Sequence, residues 1–211
     1  MKNWSTVPIP QLMLDLERDP RGLPVPYVVL KDKDGKHHFK INDSNKSAIC
    51  IVKGLCSICG KPLISDQKWL VGGIASAFDD KGYYIDLPVH KECGIYALQV
   101  CPYMAMNNYN GKLDMIKLQQ QLPTVALHNP TVDPDRLPLF VFQRPSAITF
   151  HMNREQGVMV KANKPILEAE FWSDGERILH LEEIVTKLEG TKWEKYLAEI
   201  VKLPQYDLQK A

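Results

Sequence analysis

Apolar residues along the chain change their period several times, and each change marks an element. Tyr27-Val28-Val29-Leu30 and His38-Phe39-Lys40-Ile41 are short β-type runs on either side of the polar stretch Lys31-Asp32-Lys33-Asp34-Gly35-Lys36. That pattern predicts a hairpin closed at an Asp-Gly turn. Trp69-Leu70-Val71 and Tyr83-Tyr84-Ile85 predict a second hairpin around Asp79-Asp80-Lys81-Gly82. Leu139–Phe142, Ala147–Met152, Gly157–Lys161 and Ile166–Trp172 are split by Pro145-Ser146, by Asn153-Arg154-Glu155 and by polar residues. They read as four strands of an antiparallel meander. Ile178, Leu181, Ile184, Val185 and Leu188 then recur at helical spacing before Gly190, and Thr191-Lys192-Trp193-Glu194 has the form of a capping box opening a last helix that Pro204 ends.

The rest of the chain is punctuation. Pro8, Pro10, Pro20, Pro24 and Pro26 prevent a long helix over residues 1–25, because each removes an N–H donor and restricts the residue before it. That segment is expected to wrap over other elements as a strap. Pro102 ends a helix, Asp114–Leu122 offers another, and residues 123–138 are rich in Pro, Asn and Asp. The reading is an α+β chain: residues 1–122 hold a strap, a hairpin and a metal module, residues 123–138 link, and residues 139–211 form a β-meander with two C-terminal helices.

The cysteines carry the chemistry. Cys56-Ser57-Ile58-Cys59-Gly60 is followed thirty residues later by His90-Lys91-Glu92-Cys93. Two ligand pairs, each separated by two residues, suit tetrahedral zinc, because a tight turn aims both donors of a pair at one ion. Gly60 suits the left-handed turn that follows such a knuckle. Knuckle, hairpin, then a helix with Ile95, Leu98 and Cys101 on its inner face, whose first turn supplies the last two ligands, is a treble-clef-like layout. A redox pair at Cys56 and Cys59 is disfavoured by Gly60-Lys61-Pro62, which opposes the helix that such a motif opens. Cys50 and Cys101 read as core thiols, with the two held in reserve as ligands. Four protein donors close the shell, so the zinc is expected to hold the fold together and not to activate water.

Catalytic readings do not gather support. A treble-clef nuclease needs a general-base histidine on the hairpin, and Trp69–Asp86 contains none. Asp79-Asp80-Lys81 has the composition of a charged turn. No Gly-x-Ser-x-Gly, Walker, dinucleotide or His-Glu-x-x-His pattern occurs. His37-His38 occupies adjacent positions that face opposite sides of a strand and reads as an exposed pair.

Charge is nearly balanced, with 26 Lys+Arg against 25 Asp+Glu among 211 residues, so any charged partner has to meet a local patch. Residues 31–53 hold six lysines against three aspartates, and Lys31, Lys33, Lys36 and Lys40 beside Tyr27 and Phe39 are the candidate nucleic-acid contact. Residues 168–211 are acidic. No apolar run approaches the roughly 20 residues of a membrane span. The five cysteines and the lack of a signal-like N-terminus lead to an expectation of a cytoplasmic protein with reduced thiols.

Four segments together carry a resemblance. They are Asn3-Trp4 with Val7-Pro8-x-Pro10, Arg18-Asp19-x-Arg21-Gly22-x-Pro24-Val25-Pro26, Leu55-Cys56-x-x-Cys59-Gly60-x-Pro62-Leu63, and His90-x-x-Cys93 leading to Ala97 and Cys101-Pro102. In that order they resemble a functionally uncharacterised family of small zinc-knuckle proteins encoded by bacteria, prophages and phages. The C-terminal half matches only through Trp172-x-x-Gly175 and the helix after it. Where relatives carry a Cys after a Gly-Pro-Met turn, this chain has Gly73-Ile74-Ala75, so no fifth ligand is expected there. The resemblance implies phage or mobile-element origin and supplies no activity. The expected function is a non-enzymatic, zinc-stabilised binding protein that modulates a host protein, with nucleic-acid binding as the alternative. The Arg18-Asp19-Pro20-Arg21 turn is the candidate partner surface, and its other reading is an ion-paired tie that holds the strap down.

Overall fold

In the computed structural model, which describes residues 6–105, 137–153 and 157–203, the strap behaves as its prolines require. It makes a 3-10 turn at Gln11–Met13 and buries Met13 in the core around the cysteines. Val7, Ile9, Leu12, Leu16 and Leu23 pack on the same core. Asn3, Trp4, the helix expected over Asp114–Leu122, most of the 123–138 connection and Pro204 lie outside the described residues.

β1 (Val29–Lys31) and β2 (His37–Asn42) form the expected antiparallel hairpin. Its turn is closed by Gly35 N–H donating to the Asp32 carbonyl at 3.0 Å, with Gly35 at φ 81°. His37 and His38 do face opposite ways, but both are half-buried and not exposed. Glu17 lies 3.4 Å from His37 Nε2 and Asp32 lies 2.8 Å from His38 Nε2, so an acid covers each face of the strand.

α1 (Ser44–Lys53) follows, a helix the hydrophobic pattern does not announce. Its ends are explicit. The Asp43 carboxylate accepts the N–H groups of Asn45 and Lys46, and Gly54 takes the left-handed conformation at φ 63°.

The hairpin expected between Trp69 and Ile85 does not form. β3 (Leu70–Gly72) gives way at Gly73 to a short helix, α2 (Ile74–Phe78), so the chain turns away before it can pair with residues 83–85. β3 pairs instead with a strand some 70 positions later, and Trp69 pairs with Val89. α3 (Lys91–Val100) and α4 (Pro102–Ala105) meet at Cys101. Ile95 and Cys101, expected on the inner face of α3, are half-buried, whereas Cys93, Tyr96, Leu98 and Val100 are buried.

The C-terminal meander is also built differently. Four expected strands are two long ones, β4 (Phe140–Asn153) and β5 (Gly157–Ser173). The register shifts on both sides of Pro145, so the proline sits in an irregularity of one strand and does not end it. Asp174 and Gly175, both at positive φ, then turn the chain into β6 (Glu176–Ile178). The sheet order is β3-β4-β5-β6, all antiparallel, so one edge strand comes from residues 1–122 and the other three strands from 139–211.

Alternation along this sheet separates two cores. Phe140, Phe142 and Trp172 face the cysteines, Met13, Trp69 and α3. Val141, Ala169, Phe171 and Ile178 face α2, α5 (Leu181–Leu188), the 3-10 turn Glu194–Tyr196 and α6 (Leu197–Ile200). The capping-box residues act at the α5–α6 junction: Thr191 Oγ1 accepts the Trp193 N–H, and Glu194 accepts the Gly190 N–H.

One long-range bond pins this C-terminal layer. The Tyr196 hydroxyl donates to Asp79 Oδ2 at 2.7 Å and is the main cause that holds the Asp79 carboxyl below the usual carboxylate range. A depressed acid stabilises the fold above its unfolded pKa, about 3.9, and loses that contribution as pH falls through the folded value. Tyr196→Phe is therefore expected to lower the melting temperature at neutral pH, with the gap closing on acidification below about pH 4. Melting curves of both proteins across that range check it. A gap unchanged by pH would mean that Tyr196 acts through packing alone.

Candidate metal centre

The knuckle is a tight β-turn hairpin. Leu55 and Pro62 form a bridge, Cys56 N–H donates to the Lys61 carbonyl at 2.9 Å, and Gly60 N–H donates to the Cys56 carbonyl at 2.8 Å. Gly60 is required twice over: its φ is 71°, and a Cβ there would lie 2.8 Å from the Tyr27 ring. Tyr27 and Val28 N–H groups donate to the carbonyls of Ile58 and Ser57, which fastens the knuckle to the start of the hairpin. On its other side Ser57 donates to Pro88 through its N–H and to Leu87 through its hydroxyl. Trp69 and Val89 exchange two backbone bonds of 3.0 and 2.9 Å and deliver the chain to His90.

These contacts bring together the four residues expected from spacing. The donor atoms of Cys56, Cys59, His90 and Cys93 all lie within 4.8 Å of one another. A tetrahedron with metal–sulfur bonds of about 2.3 Å has edges of about 3.8 Å, so a small inward movement would seat an ion. His90 is half-buried, while Cys56, Cys59 and Cys93 are buried. Its Nε2 lies 3.0 Å from the Pro62 carbonyl, which accepts only, so Nε2 carries the proton. Nδ1 is then the ring nitrogen left to face an ion, and it lies 3.3 Å from Cys59 Sγ. A carbonyl that fixes the tautomer of a ligating imidazole is a usual outer contact of metal histidines.

The thiols show why a cation fits. The Cys56 thiol is drawn down to about 3, first by hydrogen bonds from the Cys59 and Cys93 side chains and further by the backbone N–H groups of Cys59 and His90. Cys93, facing the same two sulfurs, is pushed up. The cluster thus draws charge onto Cys56 and keeps the proton on Cys93, and a divalent ion would replace protons at the sulfurs it binds. Cys50 stays outside the cluster, pushed up to about 11 by burial and then by the sulfurs of Cys56 and Cys59. Cys101 lies outside it as well.

The helix carrying His90 and Cys93 is anchored by residues that spacing does not reveal. Lys91 Nζ lies 3.3 Å from both Glu168 and Glu170 and 4.3 Å from the centroid of the Trp69 ring. Arg144 Nε donates to Glu168 at 2.8 Å, and the Trp172 indole N–H donates to Glu170 at 3.2 Å. The only sequence signal is the alternation Glu168-x-Glu170-x-Trp172, which puts all three on one face of β5.

The remaining candidate residues lie elsewhere. Asp19 is buried, and its carboxylate accepts the N–H groups of Arg21 and Leu23 and the Arg21 guanidinium. Arg18 Nη2 donates to the Leu14 carbonyl. Asp19 therefore closes its loop from inside and leaves Pro20, Arg21 and Gly22 exposed. Of the four hairpin lysines, Lys31 is engaged by both oxygens of Glu17, at 2.8 and 3.0 Å, whereas Lys33 and Lys36 are exposed and Lys40 lies on β2.

No protein-family model, curated protein or solved structure matches the chain. Among the described residues no helix is long and apolar enough to cross a membrane.

Proposed function

We propose that the chain is a non-enzymatic binding protein whose N-terminal half is held together by zinc at Cys56, Cys59, His90 and Cys93. The closure of the donor cluster carries this reading. Three sulfurs and one imidazole complete a tetrahedral shell, and with the three cysteines buried no position is left for water or a substrate. Thiolate-rich shells favour zinc over magnesium or calcium, which prefer oxygen donors. The role of the ion is to cross-link the knuckle to the start of α3.

The partner is a host protein. This follows the resemblance to phage-borne zinc-knuckle proteins and the near-neutral charge balance, which suits protein contact better than a polyanion. The exposed rim Pro20-Arg21-Gly22, presented by the buried Asp19, is the proposed contact. Nucleic-acid binding is the weaker reading because Glu17 already neutralises Lys31, which leaves Lys33 and Lys36 as the exposed lysines of the turn.

Elemental analysis of the purified full chain is expected to give about one zinc per chain. A tagged form expressed in its host should retain one protein stoichiometrically after nuclease treatment, and Arg21→Ala should reduce that retention. A folded protein without metal overturns the zinc assignment. Retention of nucleic acid alone overturns the choice of partner.

A further inference from the structure

We propose that the outer edge of β4, from Ile148 to Met152, is where two copies of this chain pair, strand against antiparallel strand about a two-fold axis at Phe150. This pairing goes beyond the metal-stabilised binding role and does not depend on which partner that role serves.

The edge is open because β3 is short. β3 covers β4 only at Val141, Phe142 and Gln143, while β5 follows the other side of β4 as far as Asn153. From Ala147 to Asn153 the register against β5 runs without a shift, so the direction of every backbone group there follows from one pair. Val160 exchanges both of its backbone bonds with Tyr84, at 2.7 and 2.8 Å, on the side of β5 away from β4. Phe150, opposite Val160 on β4, therefore turns its own N–H and C=O away from β5, and by alternation Ile148 and Met152 do the same. No described strand meets these groups. Solvent reaches the edge, since Ala147, Thr149, Phe150 and Met152 are exposed, Met152 to 80%.

Sheet edges are ordinarily guarded by lysine, proline or a bulge. Pro145 and its register shifts guard the part next to β3, but from Ala147 to Met152 there is no proline and no Lys, Arg, Asp or Glu. A row of unspent backbone groups specifies a β-strand as the occupant, and the side chains specify which one. Ile148, Phe150 and Met152 lie on one face of β4, and Thr149 and His151 on the other. That order reads the same in both directions. An antiparallel crossing at Phe150 therefore sets Phe150 against its own copy, Ile148 against Met152 and Thr149 against His151, apolar on apolar and polar on polar, with no charge facing its like. Every outward N–H and C=O of the stretch then finds a partner, and the two sheets become one. A second copy satisfies the backbone and the side chains at once.

The shared edge is short. Five paired residues span about 17 Å, too little for the roughly 800 Å² per partner of a stable interface, so association in the micromolar range is expected. Sedimentation equilibrium of the full chain as purified, from about 1 to about 200 micromolar, is the test, and the wild type is expected to show a monomer–dimer equilibrium. Met152→Pro removes an outward N–H that no bond to β5 uses, so it should keep the fold and raise the dissociation constant at least about tenfold. Phe150→Lys and Phe150→Glu each bring like charges together at the axis and should weaken pairing at least as much, whereas an equimolar mixture of the two should pair again. Unchanged circular dichroism and metal content establish that each variant is folded, which separates failure of the pairing from failure of the metal reading. A wild-type monomer throughout the range overturns the proposal and gives the edge to a strand of another protein. So does a folded Met152→Pro that pairs as the wild type does. A mixture of folded Phe150→Lys and Phe150→Glu that stays monomeric where the wild type pairs overturns the two-fold axis at Phe150.

Discussion

Chelation of the metal at neutral pH is expected to collapse the core around the cysteines, and Cys56→Ser is expected to do the same without a chelator. Cys56 and Cys93 are 0% exposed, and with Cys59 they share one apolar cluster with Met13, Trp69, Val89, Phe142 and Trp172. That cluster draws on the strap, the knuckle, α3 and one face of the sheet, and much of the strap and knuckle is loop. Without an ion, three sulfurs and an imidazole converge in a dry pocket where charge has no counterpart. A structural zinc supplies about 10–16 kcal/mol of apparent binding free energy in small zinc modules, comparable to or above the roughly 5–15 kcal/mol that holds a whole domain folded. Trp69 and Trp172 are buried in this cluster, whereas Trp193 lies in the other core, so two of the three tryptophans among the described residues report on it. Red-shifted emission and loss of the cooperative melt on chelation, both restored by added zinc, are the expected result. An apo protein with unchanged emission and melting temperature would remove any structural role for the ion. Protons oppose the metal at the same atoms, so acidification is expected to mimic chelation.

What could be read from the sequence, and what could not, divides by the range of the interaction. The metal ligands were legible because spacing within each pair is fixed by one tight turn, and Gly60 marks that turn. The β1–β2 hairpin was legible for the same reason, through Asp34-Gly35. α1 escaped because its hydrophobic pattern is inverted: Ile49 and Val52 face outward, so periodicity points nowhere, and only Asp43 and Gly54 mark its ends. The false hairpin over Trp69–Ile85 arose from two β-type runs that are both paired, but with distant partners. Leu70 pairs with Gln143, Trp69 with Val89, and Tyr84 with Val160. Nothing local to residues 69–85 encodes those partners. Pro145 was read as a turn because proline usually ends a ladder, and here a register shift absorbs it. The Lys91–Glu168–Glu170 anchor is invisible for a related reason, since it joins residues 77 and 79 positions apart whose chemistry is ordinary on any surface.

Gly94→Ala is expected to destabilise the protein although it places a better helix former inside a helix. A Cβ at Gly94 would lie 2.6 Å from the Phe142 ring and 3.1 Å from Val89. Phe142 is 0% exposed, and its ring lies against Trp69 with centroids 4.5 Å apart, so it has nowhere to retreat. Overpacking of this kind costs about 1–3 kcal/mol, which outweighs the roughly 1 kcal/mol that alanine gains over glycine in helix propensity. Because Cys93 is the neighbouring residue, the same displacement of α3 should weaken metal binding. Phe142→Ala alone is expected to cost more, about 3–5 kcal/mol, by emptying the space between α3 and the sheet. The decisive measurement is the double variant, followed by chemical denaturation with metal present. With the ring gone, the new methyl meets no obstacle, and Gly94→Ala should become neutral or stabilising, a coupling of about 2 kcal/mol between the two sites. Equal costs for Gly94→Ala in both backgrounds would show that the glycine serves backbone freedom and not close approach. Because α3 carries Cys93 on its first turn and His90 as its N-cap, the closeness of this one helix–sheet contact links the packing of the core to the geometry of the metal centre.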